Sequence, residues 1–281
     1  MNNESSDENI IIYDDYCPMC DIYTNAFIKT GFLTKNGRQS FSTIDSNLLE
    51  KIDLERSKHE IPYLNTKTGQ VWYGIDALLE ILGAKIPLIK TIGNIKPVRY
   101  FLLKLYKLIS YNRKVIVAKK TNQDCFDCSP NFNALYRIFY LILALSINSL
   151  LLIPLYNIVF SKMPIFQLNI VQFEGYHFAL VFINLSIASL LSFKNGVDYL
   201  GQVATLSLQG MFVWLPSIIV LAITQQLPLF IVYTNLVLGT IFLLFDYIRR
   251  MRYLEIYPTK KWIIALTIIS LCMFFLVMFV F

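Results

Sequence analysis

Residues 10–20 read IIIYDDYCPMC, and this stretch decides how the N-terminal part of the chain folds. Its first four residues, Ile10–Tyr13, form a β-branched run that is typical of a buried strand. From Asp21 onwards the apolar residues recur at helical spacing, which predicts a helix soon after the strand. Cys17 and Cys20 therefore lie on the turn between a strand and the first turn of a helix.

The alternation of strands and helices continues beyond this turn. Lys67-Thr68-Gly69 separates two short apolar runs and is a hairpin signal with glycine at the turn. The resulting order, βαβαββα, is a thioredoxin-like pattern, although other α+β arrangements share this periodicity. The predicted elements after the first strand and helix are strands at Ser40–Ile44, Ile61–Leu64 and Gln70–Trp72, and helices at Leu48–Ser57 and Asp76–Leu82.

The spacing of Cys17 and Cys20 predicts redox chemistry, because two thiols three residues apart at a helix start lie on one face. The amide groups and the dipole at the helix N-terminus favour the thiolate of Cys17. Pro18 suits the first helical position, where its missing N–H is not needed. We expect Cys17 to attack a disulfide and Cys20 to resolve the mixed disulfide. Asp14 and Asp15 should oppose this by raising the thiol pKa through their charge, but a buried carboxylate can also relay the proton from Cys20.

A second pair, Cys125 and Cys128, directly precedes the first long apolar run. Asp124 and Asp127 flank it with negative charge, which disfavours the thiolate and makes this pair a poor attacking group. It is a possible second redox pair that exchanges with the first. The alternative is that both pairs bind one zinc ion in a non-enzymatic membrane scaffold or recruitment protein, although zinc ribbons place their pairs much closer in sequence.

Three segments, in this order along the chain, resemble one known family. Asp14–Cys20 is similar to the DxxCxxC signature of the DCC family of predicted thiol-disulfide oxidoreductases. Gly69–Leu82 resembles that family's strand followed by a helix with Gly-x-Asp-Ala. Leu102–Arg113 resembles its closing helix, in which Tyr is followed after five residues by Asn-Arg. The resemblance covers roughly Asn9–Ser129.

This resemblance implies a thioredoxin-like fold with Asp14, Cys17 and Cys20 as the catalytic site, and a disulfide exchange that needs no cofactor. The family usually has glycine after the first Asp, whereas this chain has Asp15. We expect that difference to change the loop and to lower the reactivity of Cys17.

Substrate contacts are predicted at Pro18 and Pro62. Thioredoxin-like sites usually place a cis-proline opposite the CxxC pair, and the backbone before it binds a peptide as an added strand. Ile61-Pro62 is the candidate, and a plain strand-entry proline is the alternative interpretation. His59 is expected to be an exposed loop residue. The predicted substrate is a thiol or disulfide of a protein or a small molecule.

Composition excludes a chain that is soluble throughout. Hydrophobic residues make up 56% of the sequence and charged residues 16%, whereas soluble domains average about 25% charged residues. Residues 134–281 hold only 12 charged residues. We therefore predict a thioredoxin-like α/β domain at 1–130 and an all-α membrane domain of about five transmembrane helices at 131–281.

Five apolar runs follow Asn133, and each is near the ~20 residues that cross a bilayer as a helix. Pro154 and Pro216 should kink their spans, and Pro228 should start one. Asp246 is the only acid predicted within a span, so we expect an anchor rather than a transporter. The predicted spans are Ile138–Phe160, Tyr176–Phe193, Ala204–Thr224, Leu227–Tyr247 and Trp262–Phe281.

Basic residues in short loops predict the orientation, because such loops stay in the cytoplasm. The loop after the fourth span carries Arg249, Arg250, Arg252, Lys260 and Lys261. With five spans, the N-terminal domain also lies on the cytoplasmic side of the cell (inner) membrane. The opening residues MNNESSDENI lack the basic and apolar regions of a cleaved signal.

The region Lys85–Lys120 contains ten basic residues and no acidic one. Apolar residues run between them at helical spacing, so the segment is amphipathic. Its position before the spans favours contact with an anionic membrane surface over binding to nucleic acid. The sequence thus predicts a membrane-anchored thiol-disulfide oxidoreductase that faces the cytoplasm.

Overall fold

The computed structural model describes residues 8–118, 130–162 and 169–280. The chain divides into two compact units, Met1–Tyr136 and Arg137–Phe281. The first unit contains strands β1 (Asn9–Tyr13), β2 (Arg38–Ser40), β3 (Pro62–Asn65) and β4 (Val71–Tyr73), and helices α1 (Pro18–Lys29), α2 (Ser46–Leu49), α3 (Leu54–Ser57), α4 (Ile75–Lys85), α5 (Pro87–Gly93) and α6 (Lys96–Val117).

The four strands form one mixed sheet in the order β2-β1-β3-β4. β1 and β2 are parallel and are joined through α1, whereas β3 is antiparallel to both β1 and β4. β1 lies inside this sheet and is buried, as its β-branched composition predicts. The hairpin between β3 and β4 turns at Gly69, whose φ of +72° suits a residue without a side chain.

Both faces of the sheet are covered, because successive residues of β1 point to opposite sides. Ile11 packs with Tyr63 on one face, where helices α1 and α4 contribute apolar side chains. Ile12 packs with Leu64 on the other face, against the segment that contains α2 and α3. The carboxyl end of β1 is thereby held in a rigid core, and the CxxC turn follows directly from it.

Two predicted elements of this unit differ from the structure. The second strand ends at Ser40 instead of extending to Ile44, because the Ser40 hydroxyl bonds the Thr43 hydroxyl at 2.8 Å and closes a turn. The helix predicted over Leu48–Ser57 is two short helices, α2 and α3. Asp45 caps the first and Asp53 caps the second, so the chain restarts its helix at each aspartate.

The second unit is helical. A 3₁₀ turn spans Phe160–Lys162. The helices are α7 (Ala134–Ile158), which begins in the last residues of the first unit, α8 (Ile170–Ser189), α9 (Phe193–Val213), α10 (Leu215–Thr224), α11 (Leu229–Tyr253) and α12 (Lys261–Val280).

Among the described residues, four helical segments are long and apolar enough to cross a membrane. They are α7, α8, the run Phe193–Thr224 formed by α9 and α10, and α11, and they correspond to four of the five predicted spans. In α12 the described apolar segment, Lys261–Ser270, is shorter. Pro154 lies inside α7, Pro228 precedes α11, and Pro216 lies in the first turn of α10, where the third span is interrupted.

The prediction that Asp246 is the only acid within a span was wrong. Glu174 lies in α8 and Asp198 lies in α9, which begins eleven residues before the predicted start of the third span. Asp198 pairs with buried Arg137 at 3.0 Å. A search for apolar runs stops at such residues, whereas an ion pair allows a helix to carry its charges into a bundle.

The prediction that Arg250 lies in a loop was also wrong, because α11 continues to Tyr253. The side chain of Arg250 is fully buried. Its Nε donates to Asp246 at 2.6 Å and its Nη1 donates to the Gln202 amide oxygen at 2.6 Å. This arginine therefore joins α11 to α9 and is not one of the exposed charges that set orientation.

Candidate active site

Cys17 is the N-cap residue of α1. Its sulfur accepts the backbone N–H of Cys20 at 3.4 Å, and its carbonyl accepts the N–H of Asp21 at 3.1 Å. Pro18 is in the first turn of the helix, as predicted. Both thiols are buried and neither is in a disulfide.

The turn before the helix is held by Asp14. The Asp14 carbonyl accepts the N–H of Cys17 at 3.1 Å, and its carboxylate accepts the N–H of Tyr16 at 3.0 Å. The Asp14 side chain is buried beside the thiols. Asp15, where the resembling family usually has glycine, does not have a positive φ, and its carboxylate accepts the Ser42 hydroxyl at 2.7 Å. The turn therefore accommodates a side chain at this position.

Helix α1 is fixed to the sheet by Arg38 on β2. Its Nη1 donates to the Asp21 carboxylate at 2.9 Å and to the Thr24 hydroxyl at 3.1 Å. The Thr24 hydroxyl in turn donates to the carbonyl of Cys20 at 2.7 Å. These bonds hold the first turn of the helix, and with it the two cysteines, in one orientation.

Arg113, near the end of α6, completes the site. Its Nη1 donates to the sulfur of Cys20 at 3.5 Å, and its Nη2 donates to the carbonyl of Lys58 at 3.5 Å. Sequence reasoning counted this residue in the basic region Lys85–Lys120 and gave it no role at the thiols, because it is 93 positions away from Cys20. The signal that pointed to it was the Asn-Arg pair that ends the third resembling segment.

The two thiols have different acidities. The hydrogen bond from the Cys20 side chain lowers the pKa of Cys17 to about 7, and the charge of Arg113 acts in the same direction against burial and Asp14. The same hydrogen bond, together with burial, raises the pKa of Cys20 well above its ordinary value. The pair therefore loses its first proton from Cys17, while Cys20 keeps its proton.

Two tyrosines lie near this charge. Burial raises the pKa of Tyr106 to about 12, so its hydroxyl is neutral, and that hydroxyl accepts the N–H of Ile61 at 2.9 Å. Burial also raises the pKa of Tyr23. His59 was expected to be an exposed loop residue, but it is half-buried and its ring contacts the ring of Tyr111 at a centroid distance of 5.4 Å.

The cis-proline expected at Ile61-Pro62 is not present. Among the described residues the cis peptide bond is Tyr257-Pro258, and Pro62 is instead the first residue of β3. Both backbone groups of Ile61 are already used, because its N–H donates to Tyr106 and its carbonyl accepts the N–H of Gly74 at 2.9 Å. An incoming peptide would have to displace these bonds to pair with Ile61.

The second cysteine pair, Cys125 and Cys128, lies outside the described residues, so its predicted exchange with Cys17 and Cys20 stays a prediction. Within residues 8–118, 130–162 and 169–280, no group of three or more His, Cys, Asp or Glu side chains is placed to hold a metal ion. In this described part of the chain, Cys17 and Cys20 offer two sulfur ligands, whereas a structural zinc site uses four protein ligands.

The basic region Lys85–Lys120 is only partly free to meet an external partner. Several of its members bond within the first unit: Lys85 to the Thr30 carbonyl, Lys90 to Glu80, Arg99 to Asp76 and Arg113 to Cys20. Lys119 and Lys120 lie outside the described residues. Exposed basic side chains of this region with neither an ion pair nor a hydrogen bond in the described part are those of Lys96, Lys104 and Lys107.

Comparisons with protein-family models, with curated proteins and with solved structures returned no match to this chain.

Proposed function

We propose that this chain is a membrane-anchored thiol-disulfide oxidoreductase of the DCC type, with Cys17 as nucleophile and Cys20 as resolving cysteine. The observation that carries the proposal is the geometry at the start of α1, where the Cys17 sulfur caps the helix and Arg113 donates to the Cys20 sulfur. The unequal acidity of the two thiols agrees with it. An inert buried pair needs no such arrangement. The parallel β1–α1–β2 connection and the β3–β4 hairpin support the thioredoxin-like fold in this proposal.

The reaction transfers two electrons from the dithiol to a substrate disulfide. The Cys17 thiolate attacks one substrate sulfur, so a Cys17–substrate bond forms, the substrate S–S bond breaks, and the leaving sulfur takes up a proton. Cys20 then gives up its proton and attacks the Cys17 sulfur. A Cys17–Cys20 disulfide forms and the second substrate thiol is released. A small-molecule or protein dithiol must then reduce the pair for another turnover.

Deprotonation of Cys20 is the step that needs help, because its pKa is raised. Asp14 is the carboxylate beside the pair, and we propose that it accepts this proton. Arg113 offsets the negative charge on whichever sulfur carries it. Substrate is positioned at the exposed side of α1, where Pro18 borders the pair and Ile22 exposes 69% of its surface.

The test uses the purified full chain in detergent with a small aromatic disulfide as substrate. We expect alkylation of Cys17 to reach half its maximal rate near pH 7, and Cys20→Ser to accumulate a mixed disulfide on Cys17. Cys17→Ser should lose disulfide reduction, whereas Cys272→Ser should retain it. Equal alkylation rates at Cys17 and at free cysteine throughout pH 6–9 would remove the proposal. A stoichiometric zinc content, abolished by Cys17→Ser, would favour the scaffold instead.

The proposal places the first unit in the cytoplasm, at the inner membrane. Exposed basic residues near the α11–α12 connection support this orientation, namely Arg249, Arg252, Lys260 and Lys261. The α10–α11 connection around Gln226 has no basic residue. In a full chain freed of its native cysteines, Gln226→Cys should react with an impermeant maleimide on intact cells. Thr259→Cys should react only after permeabilisation, and the reverse pattern would overturn the orientation.

We also propose that α5 and α6 contact an anionic membrane surface. The exposed side of α6 carries Tyr100, Phe101 and Ile109 among its apolar residues, and Lys104 and Lys107 lie between them. Each such basic group contributes about 1 kcal/mol near an anionic surface. A photoreactive phenylalanine at Phe101 in the reconstituted full chain should crosslink to lipid. The same probe at Lys67, exposed at the β3–β4 turn, should not, and equal crosslinking at both would contradict the contact.

A further inference from the structure

An open groove of about 540 Å³ lies between α7 and α8 in the second unit. Its walls are almost entirely apolar, and Leu150, Val171 and Phe178 are among them. These three side chains are more than half exposed. Since both helices are long and apolar enough to cross a membrane, the groove opens toward lipid.

One carboxylate lies in this apolar groove, that of Glu174. Glu174 as a whole is only partly buried, but both of its oxygens have almost no exposed surface, and neither has a hydrogen-bond partner among the described residues. His177, one turn further along α8, does not supply the missing partner of Glu174. Its own Nε2 is buried without a hydrogen-bond partner among the described residues. A charge buried without a partner is costly, so buried charges in proteins are normally paired.

The depth of Glu174 indicates which kind of molecule carries the missing charge. Helix α8 begins at Ile170 after a capping box at Asn169. Glu174 is four residues into the helix, or about 6 Å along its axis. A group at that depth lies near the headgroup layer, while the apolar walls extend toward the acyl chains. An ammonium group supplies a positive charge and three hydrogen-bond donors, which match two free carboxylate oxygens.

We infer that this groove binds a phospholipid with a primary-amine headgroup, the ammonium on Glu174 and an acyl chain along α7 and α8. The site is independent of the thiol chemistry and goes beyond the proposed function. Gly175 keeps the groove open, because a Cβ added there would meet no atom within 4 Å. A larger side chain at this position therefore fills the groove without a clash against the helices.

The test is native mass spectrometry of the full chain with phosphatidylethanolamine, phosphatidylcholine or phosphatidylglycerol of identical acyl chains. We expect the ethanolamine lipid to be retained about tenfold more than the glycerol lipid, as a charged hydrogen bond allows. Phosphatidylcholine, whose ammonium cannot donate, should be retained less than the ethanolamine lipid. Glu174→Gln and Gly175→Leu should each abolish the preference. Ala179→Leu, which adds the same side chain to an exposed position of α8 outside the groove, should keep it.

Three results would overturn the inference. The first is equal retention of the three lipids by the unaltered chain. The second is an ethanolamine preference that survives Glu174→Gln or Gly175→Leu. The third is modification of Glu174 by a hydrophobic carbodiimide at the same rate with and without phosphatidylethanolamine, since that would mean that the carboxyl is simply protonated and that no amine protects it.

Discussion

At the scale of single residues, the site depends on how one negative charge is shared between two sulfurs. Cys17 receives hydrogen bonds at the start of α1, whereas Cys20 donates one and lies deeper. The buried carboxylate of Asp14 opposes the pKa-lowering effect of the helix N-terminus, because its charge raises the pKa of both thiols. Arg113 offsets that effect, and it is the only part of this balance contributed by α6.

The first prediction concerns Arg113→Gln. Removing the cation should move the pH midpoint of Cys17 alkylation upward from about 7, toward the ordinary thiol value near 8.5. Arg113→Lys should restore part of the difference, because it keeps the charge but loses the planar donor geometry. This midpoint is measured by alkylating the full chain at a series of pH values and quantifying the modified Cys17 peptide by mass spectrometry. Arg99→Gln on the same helix removes a cation that pairs with Asp76, and an equal shift there would rule out a specific role for Arg113.

The second prediction concerns Asp14→Asn, which keeps the oxygen that accepts the N–H of Tyr16. Because the Asp14 charge raises the pKa of Cys17, its loss should lower the midpoint of Cys17 alkylation below about pH 7. The second step should slow if Asp14 accepts the proton of Cys20, so the mixed disulfide should persist longer at pH 7. Stopped-flow kinetics separates the two steps. Asp15→Asn is the matched control. Asp15 was also expected to raise the thiol pKa, but its carboxylate bonds Ser42 and it is not among the groups that shift the pKa of Cys17, so both steps should be unchanged.

At this scale the sequence was informative only where the chemistry is local. The CxxC turn was predicted correctly because the cysteines and their strand are adjacent in the chain. The contact of Arg113 with Cys20 was not predictable from periodicity, which relates no residues 93 positions apart, and the resemblance marked Arg113 without placing it beside the thiols. Sequence could not decide between a cis-proline and a strand-entry proline at Ile61-Pro62, because an Ile-Pro dipeptide does not reveal its peptide isomer. The structure has the strand-entry proline.

At the scale of elements, the site depends on how β4 is joined to α4. Gly74 has φ +58° and ψ −119°, a conformation reserved for glycine, and it is the N-cap residue of α4. A Cβ at this position would meet Tyr106 Cε1 and Glu60 Cγ at 3.2 Å. The turn therefore packs closely against Tyr106 of α6, whose hydroxyl accepts the N–H of Ile61.

The third prediction is that Gly74→Ala destabilises the first unit by about 1–3 kcal/mol, the cost of a side chain in this backbone region. The temperature at which buried Cys20 becomes open to alkylation measures this locally in the full chain. Gly69→Ala is the control, because φ is also positive there but an added Cβ meets nothing within 4 Å. Gly69→Ala should therefore destabilise the unit less than Gly74→Ala. Equal losses of stability in the two variants would mean that the contacts with Tyr106 and Glu60 do not matter.

Element boundaries were predicted well where one signal dominated and poorly where two competed. Val71–Tyr73 and Ile75–Lys85 lie close to their predicted ranges because the turn at Gly69 and the apolar spacing agree. The break between α2 and α3 was missed because Leu48–Ser57 has helical spacing throughout. Asp53 caps a new helix inside that range by accepting the N–H of Arg56 at 3.0 Å, and capping outweighed periodicity there.

At the scale of the whole molecule, apolar length predicted the membrane helices, but it could not predict the charges that they contain. Hydropathy treats Asp198 and Arg250 as the ends of spans. In the folded unit each has an opposite charge close by, on Arg137 and Asp246 respectively. Pairing of this kind depends on which helices are neighbours, and that information is absent from any single run of residues.

The fourth prediction follows from the buried guanidinium of Arg250. Asp246→Asn leaves that charge without its ion partner and should destabilise the second unit by about 3–5 kcal/mol. The double variant Asp246→Leu/Arg250→Met, which removes both charges, should destabilise the second unit much less. Its two new side chains are apolar and leave no buried charge without a partner. Loss of helical signal in a denaturing-detergent titration of the full chain measures each difference.

Arg249→Gln provides the control for this prediction. Arg249 also contacts the Asp246 carboxylate, at 2.6 Å, but its side chain is 48% exposed, and exposed pairs contribute only about 0–1 kcal/mol. Arg249→Gln should therefore reduce the stability of the second unit only slightly, although Arg249 pairs with the same carboxylate. If Arg249→Gln and Asp246→Asn had equal effects, the stabilising partner of Asp246 would be the surface arginine, and the connection of α11 to α9 through Arg250 and Gln202 would carry no special weight.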